Sequence, residues 1–147
     1  KRAVTTAEII KGKRDIRIER NDALKEIDMG NWQGKTLEEI EKDSPEEYYN
    51  YWYAPELYVP NNGGESFSQV QKRAVSLIKK IIKERRYENI LIVSHGVTLK
   101  TIITYYQNKT MDKLWEPPFI EGTSLSLIEI EEDNIIVRFH GDTTHIK

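Results

Sequence analysis

The stretch Ile90-Leu91-Ile92-Val93 narrows the folds open to this chain more than any other. Four aliphatic residues in a row, with no polar alternation, suit a strand buried on both faces of a parallel sheet. Ser94-His95-Gly96 follows at once, and a helical pattern begins at Val97. Strand, tight turn and helix in that order are the unit of a layered α/β domain. The run is far too short for the ~20 residues that cross a bilayer, so it reads as core rather than membrane.

The neighbouring segments agree with that unit. Ala3, Ala7, Ile9 and Ile10 fit a helix that stops near Gly12, although no good capping residue precedes it and the chain opens at Lys1 without a methionine. The segment reads as cut inside an element, with a processed terminus as the alternative. Ile16 and Ile18 alternate with charged neighbours across Asp15 to Glu19, the pattern of a short half-buried strand. A glycine-bearing loop around Trp32 follows, then a short helix from Thr36 to Ile40. A second short helix starts at Ser44-Pro45-Glu46-Glu47, where serine is placed to cap, proline sits at the first helical position and Glu47 can cap back.

Five tyrosines and Trp52 crowd Tyr48 to Tyr58, an insertion suited to core packing or to covering a substrate. Ser66-Phe67-Ser68-Gln69 repeats the capping logic. Phe67, Val70, Ala74, Leu77, Ile78 and Ile81 then mark one face of a long helix. Near the C-terminus, alternating strands at Ser124 to Ile130 and Ile135 to His140 are joined as an antiparallel hairpin by the acidic turn Glu131 to Asn134. The expected architecture is α/β: a three-layer sandwich with a mostly parallel central sheet and a C-terminal antiparallel hairpin, forming one domain over residues 1–147.

Composition excludes several functions. The 22 basic and 24 acidic side chains nearly cancel, so no global field favours nucleic acid or an anionic membrane. With no cysteine there is no disulfide framework or thiolate chemistry, and the expected compartment is the cytoplasm. The three histidines lack metal-ligand spacing, and no cofactor is expected.

An anion site must therefore be built locally, and one place suits it. Ligands of open α/β sheets lie at the carboxyl ends of strands, where helix N-termini present backbone N–H groups. His95 stands there, with Gly96 keeping bulk away from an approaching ligand; a packed or capping histidine is the plainer alternative. Glu26, in the glycine- and tryptophan-bearing loop, has an acid–base reading beside that of a solvated carboxylate next to Lys25. Glu65 reads either as a residue orienting His95 or a phosphate clamp, or as an exposed acid before a helix. Asp142 reads as a turn residue, and His140 and His145 as surface residues near a terminus.

These segments occur in a familiar order: Arg2-Ala3 before Thr6-Ala7-Glu8, Leu24 to Gly34, Gly64-Glu65-Ser66, Val93-Ser94-His95-Gly96, Gly122-Thr123-Ser124 and Gly141 to His145. Together they resemble the histidine phosphatase superfamily, in its cofactor-dependent phosphoglycerate mutase-like branch. The resemblance implies that His95 is the second pocket histidine, Arg2 a phosphate clamp and Glu26 the general acid and base. Gly96 and the Thr123 backbone would stand near the phosphate. It implies a phosphate-monoester hydrolase or phosphomutase acting on a small phosphorylated substrate through a phosphohistidine.

One departure from the family pattern matters. The attacking histidine of that family lies in an Arg-His-Gly turn after a hydrophobic first strand, and neither precedes Lys1. The expectation is a chain truncated at the N-terminus, lacking its first strand and following helix. The slot that this leaves in the sheet would be filled by strand exchange in a homodimer or by a separate chain, or the sheet would rearrange. The alternative function is a non-catalytic relative that binds a phosphorylated ligand or a partner.

Overall fold

The computed structural model describes residues 1–84, 87–131 and 134–146. These residues form five α-helices and one two-stranded sheet: α1 (Arg2–Lys11), α2 (Leu37–Asp43), α3 (Pro45–Tyr53), α4 (Phe67–Glu84), α5 (Gly96–Tyr106), β1 (Leu125–Glu131) and β2 (Asn134–Asp142). None of the described helices is long and apolar enough to cross a membrane.

Local chemistry sets the helix starts. Thr36 accepts from the Glu39 N–H while Glu39 accepts from the Thr36 N–H, a reciprocal cap on α2. Ser66 and Gln69 make the same exchange ahead of α4. The cap expected at Ser44 does not form. Ser44 occupies the position before Pro45, but its side chain makes no capping bond, and the Glu47 carboxylate accepts from the Asn61 N–H instead. A loop donor 14 residues away competes with the local one and holds the end of the tyrosine-rich insertion against α3.

Two apolar clusters meet along α4. In the first, Phe67 and Val70 pack with Ile27, Trp32, Ile40, Tyr51, Tyr58 and Leu114. In the second, Ala74 and Ile78 pack with Ile102 and Tyr106 of α5, and Ile128, Ile135 and Val137 of the hairpin close over them. Of the stripe expected on α4, Phe67, Val70, Ala74 and Ile78 thus serve the two clusters. The tyrosine-rich insertion divides its labour: Tyr51 and Tyr58 are core, whereas Tyr49 and Tyr53 are exposed.

The hairpin is antiparallel, from Leu125 opposite Asp142 to Glu131 opposite Asn134, with irregularities around Leu127. The two central residues of its expected acidic turn, 132 and 133, lie outside the described residues. The expected strands ahead of the hairpin, and the parallel sheet they would build, are not shown among the described residues. Neither Asp15 to Glu19 nor Ile90 to Val93 joins a ladder, and β1 with β2 is the one sheet among the described residues. A strand is defined by its neighbour's hydrogen bonds, and these segments have no neighbouring strand here. Accordingly Ile16, Ile90 and Leu91 are 51%, 47% and 60% exposed, while Ile92 still reaches the second cluster.

The loop before α2 is fixed by a close backbone crossing. Gly30 has φ +52, and a Cβ there would lie 2.2 Å from the Asn62 carbonyl oxygen and 2.6 Å from the Gly64 nitrogen. Substituting Gly30→Ala adds left-handed strain to a backbone collision, and the expected loss is about 2–4 kcal/mol of unfolding free energy. Urea denaturation checks this; an unchanged midpoint would show that the crossing is not tight.

Candidate active site

The segment from Ala23 to Asp28 has no regular hydrogen-bonding partner strand, so its carbonyls must be satisfied from elsewhere. Arg73 of α4 supplies most of the donors. Its guanidinium donates to the carbonyls of Ala23 (2.8 Å), Lys25 (2.9 Å) and Glu26 (3.2 Å). The same group holds both Glu65 carboxylate oxygens, at 2.8 and 2.9 Å. Glu65 also accepts from the Asp28 N–H, closing a ring of contacts around the segment. From the other side, Ser94 Oγ donates to the Leu24 carbonyl and Thr98 Oγ1 to that of Lys25, both at 2.7 Å.

Held in this way, the Glu26 carboxylate meets the start of α5. Its Oε1 accepts from the N–H groups of Ile27 and Thr98, both at 3.1 Å, and lies 3.2 Å from Thr98 Oγ1, whose proton goes to the nearer Lys25 carbonyl. Its Oε2 accepts from the Val97 N–H at 3.2 Å. Glu26 therefore caps α5 from a distant part of the chain, which fits the finding that His95, in the N-cap position, makes no side-chain cap. Two of the N–H groups expected to face an anion are consequently committed to this carboxylate. Among the described residues Val97 is the one donor to Oε2, and a Cβ at Gly96 would stand 3.9 Å from that oxygen.

Glu26 and Gly96 open onto a shared cavity of about 210 Å³, whose other walls are mostly aromatic and aliphatic. Tyr51 and Trp52 of α3 contribute from one side, and Trp115, Phe119 and Ile120 from another. Burial first, and then the Glu26 charge, push the Tyr51 phenol well up, so this wall is neutral. Lys100 also borders the cavity. It is 4% exposed, and burial draws its pKa down. Its ammonium donates to the carbonyls of Glu116 and Pro118, fixing the loop that carries Phe119.

The other sequence candidates fall in different places. His95 is half-buried immediately before Gly96. Arg2 opens α1, a helix with no buried residues, and is exposed; it does not line the cavity. Thr123 is exposed with φ 64, and its carbonyl lies 3.0 Å from His145 Nε2. The Glu65 carboxylate bonds to Arg73 and Asp28, and so bears on the Glu26 segment; no bond runs from it to His95. His140 Nδ1 lies 3.3 Å from Gln107 Nε2. Asp142 accepts from Thr144, as a turn residue does. No cluster of three or more potential metal ligands occurs among the described residues.

Sequence reasoning missed Arg73 and Lys100. Both carried a signal: Arg73 follows Val70 by three positions at the edge of an apolar helical stripe, and Lys100 interrupts the apolar run of α5. A charged residue at such a position reaches polar partners or is costly to bury.

This geometry accompanies a shared ancestry. The family model of the histidine phosphatase superfamily (branch 1) matches residues 1–143, and the chain belongs to that family. Among solved structures, Bacillus stearothermophilus YhfR is 41% identical with a TM-score of 0.94, over 99% of this chain and 72% of that one. Phosphoserine phosphatase 1 of Hydrogenobacter thermophilus is 26% identical over 146 residues, which cover 99% of this chain and 68% of that protein. Fructose-2,6-bisphosphatase of Saccharomyces cerevisiae is 34% identical over 116 residues, covering 74% of this chain but 23% of the yeast protein.

The Glu65–Arg73 pair leads to a pH prediction. The Arg73 hydrogen bonds hold the Glu65 carboxyl below its ordinary value of 4.5, against the opposing effect of burial. A depressed folded pKa gives stability that is complete above the ordinary value and lost as pH falls through the folded one. The urea midpoint of the wild type is expected to fall more between about pH 6 and about pH 3 than that of Glu65→Gln. Parallel midpoints for the two proteins would contradict this.

Proposed function

We propose that this chain forms the greater part of a phosphate-monoester hydrolase that works through a phosphohistidine, with its nucleophilic histidine contributed from outside these 147 residues. The reading rests on one observation: a carboxylate held by three backbone N–H groups lines a cavity together with Gly96, the residue that follows His95. Phosphoryl transfer asks the protein chiefly for positioning and for neutralisation of the equatorial oxygens. His95 and the backbone at Gly96 serve that purpose, with Arg2 and the Thr123 backbone brought to the phosphate in the complete protein.

In the first step a bond forms between the nucleophilic nitrogen and phosphorus as the bond from phosphorus to the ester oxygen breaks. Glu26 gives that oxygen its proton, and the alcohol leaves. In the second step water attacks phosphorus, the nitrogen–phosphorus bond breaks, and the water proton passes to Glu26, restoring the acid. Water rather than a second substrate hydroxyl is assigned because phosphatases are prominent among the relatives. The fold reading extends in the same way. Ile90 to Val93 becomes a central parallel strand of a three-layer sandwich when a strand from outside these residues, or one exchanged from a second copy, pairs with it. Its partly exposed aliphatic side chains and the absence of a ladder there among the described residues support that role.

The test uses the protein encoded by the complete reading frame. His95→Ala is expected to lower kcat toward p-nitrophenyl phosphate by about 10²-fold or more. Glu26→Gln is expected to cost more with an alkyl ester such as phosphoserine than with p-nitrophenyl phosphate, because p-nitrophenolate departs without protonation. Wild-type rates in His95→Ala, or an equal loss on both esters in Glu26→Gln, would refute the corresponding role.

A further inference from the structure

The cavity beside Glu26 has a chemical character that the hydrolase reading leaves unused. Its far wall is made by Tyr51, Trp52, Val97, Trp115, Phe119 and Ile120. Trp52 and Trp115 pack with ring centroids 5.5 Å apart, and the Trp115 indole N–H is already given to the Tyr51 carbonyl at 2.6 Å. Phe119 is 55% exposed and has no aromatic partner among the described residues. The cation bordering the cavity is Lys100, whose ammonium is engaged by two main-chain carbonyls of the loop that bears Phe119. Glu26 is the acid there, engaged in turn by the start of α5.

Resting on the hydrolase reading, we infer that this wall receives the leaving group of the substrate, and that this group is apolar, ring-bearing and without a charge of its own. An aromatic ring slides against exposed indole and phenyl faces and removes them from water, a gain proportional to the apolar area covered. The available space is suitable, since about 210 Å³ exceeds the roughly 150 Å³ known to admit a benzene-sized molecule. A carboxylate or second phosphate would meet the opposite situation. It would lose its water against aromatic faces, with Glu26 near and no uncommitted ammonium to pair with. Because Lys100 fixes the Phe119 loop from beneath, the wall exists before the ligand arrives, and little ordering cost is added on binding.

The experiment compares alkyl esters, so that leaving-group basicity is matched: 2-phenylethyl phosphate against phosphoserine and glycerol 2-phosphate, with the protein from the complete reading frame. The kcat/KM of the phenylethyl ester is expected to exceed the others by about tenfold or more. Phe119→Ala should erase most of that advantage through KM, and Tyr49→Ala, which alters an exposed ring of α3 outside the cavity, should leave the turnover of all three esters unchanged. Equal turnover of all three esters, or a preference for phosphoserine, overturns the inference and leaves the hydrolase reading intact. Binding of 3-phenylpropylphosphonate is measured in parallel by calorimetry. If no ester is turned over but the phosphonate binds and Phe119→Ala weakens it, the pocket stands and the hydrolase reading falls. Absence of both binding and turnover removes both.

Discussion

The Arg73 guanidinium is the contact on which the rest of the site depends. It sits on the most regular element of the molecule, and from there it reaches three carbonyls of a segment that has no ladder of its own. Without those bonds the Ala23 and Glu26 carbonyls would lose the donor that Arg73 gives them, while Leu24 and Lys25 would keep the Ser94 and Thr98 hydroxyls. The Glu65 carboxylate neutralises the guanidinium and orients it by two bonds, so the fork cannot turn away. A planar group with five fixed donors suits this task, and lysine, a point charge on a flexible stem, could not span the same acceptors.

Positioning of Glu26 links packing with chemistry. The carboxylate that borders the cavity is also the cap of α5, so the helix start and the candidate acid are mutually dependent. The tyrosine-rich insertion has a similar double use. Tyr51 packs edge-on against Trp32 and Tyr58 within the core, and the adjacent Trp52 turns toward the cavity. Adjacent residues on a helix point in different directions, so one short element can stabilise the fold and shape a binding wall.

Much of this was legible in the sequence because the signals were local. The α4 stripe, the cap at Ser66 and the C-terminal hairpin each follow from residues a few positions apart. Glu26 and the His95-Gly96 turn stood out from motif order. The features that short windows did not settle all depend on remote partners. Glu47 caps nothing nearby because a loop amide captures it. Glu65 bears on Glu26 through Arg73, eight residues further along α4. Ile90 to Val93 has the composition of a buried strand but joins no ladder, since a strand's hydrogen bonds belong to its neighbour.

The sequence by itself determined the family, the helix periodicities, the turns that glycine permits and the residue types available for phosphate chemistry. These are properties of short windows, governed by steric limits on the backbone and by the spacing of apolar side chains. Only the tertiary structure decided which carboxylate caps α5, which cation is consumed by main-chain carbonyls and which aromatic rings face the cavity. Those outcomes pair groups tens of residues apart, and a hydrogen bond or a ring contact is fixed by distance in space, which no local spacing encodes.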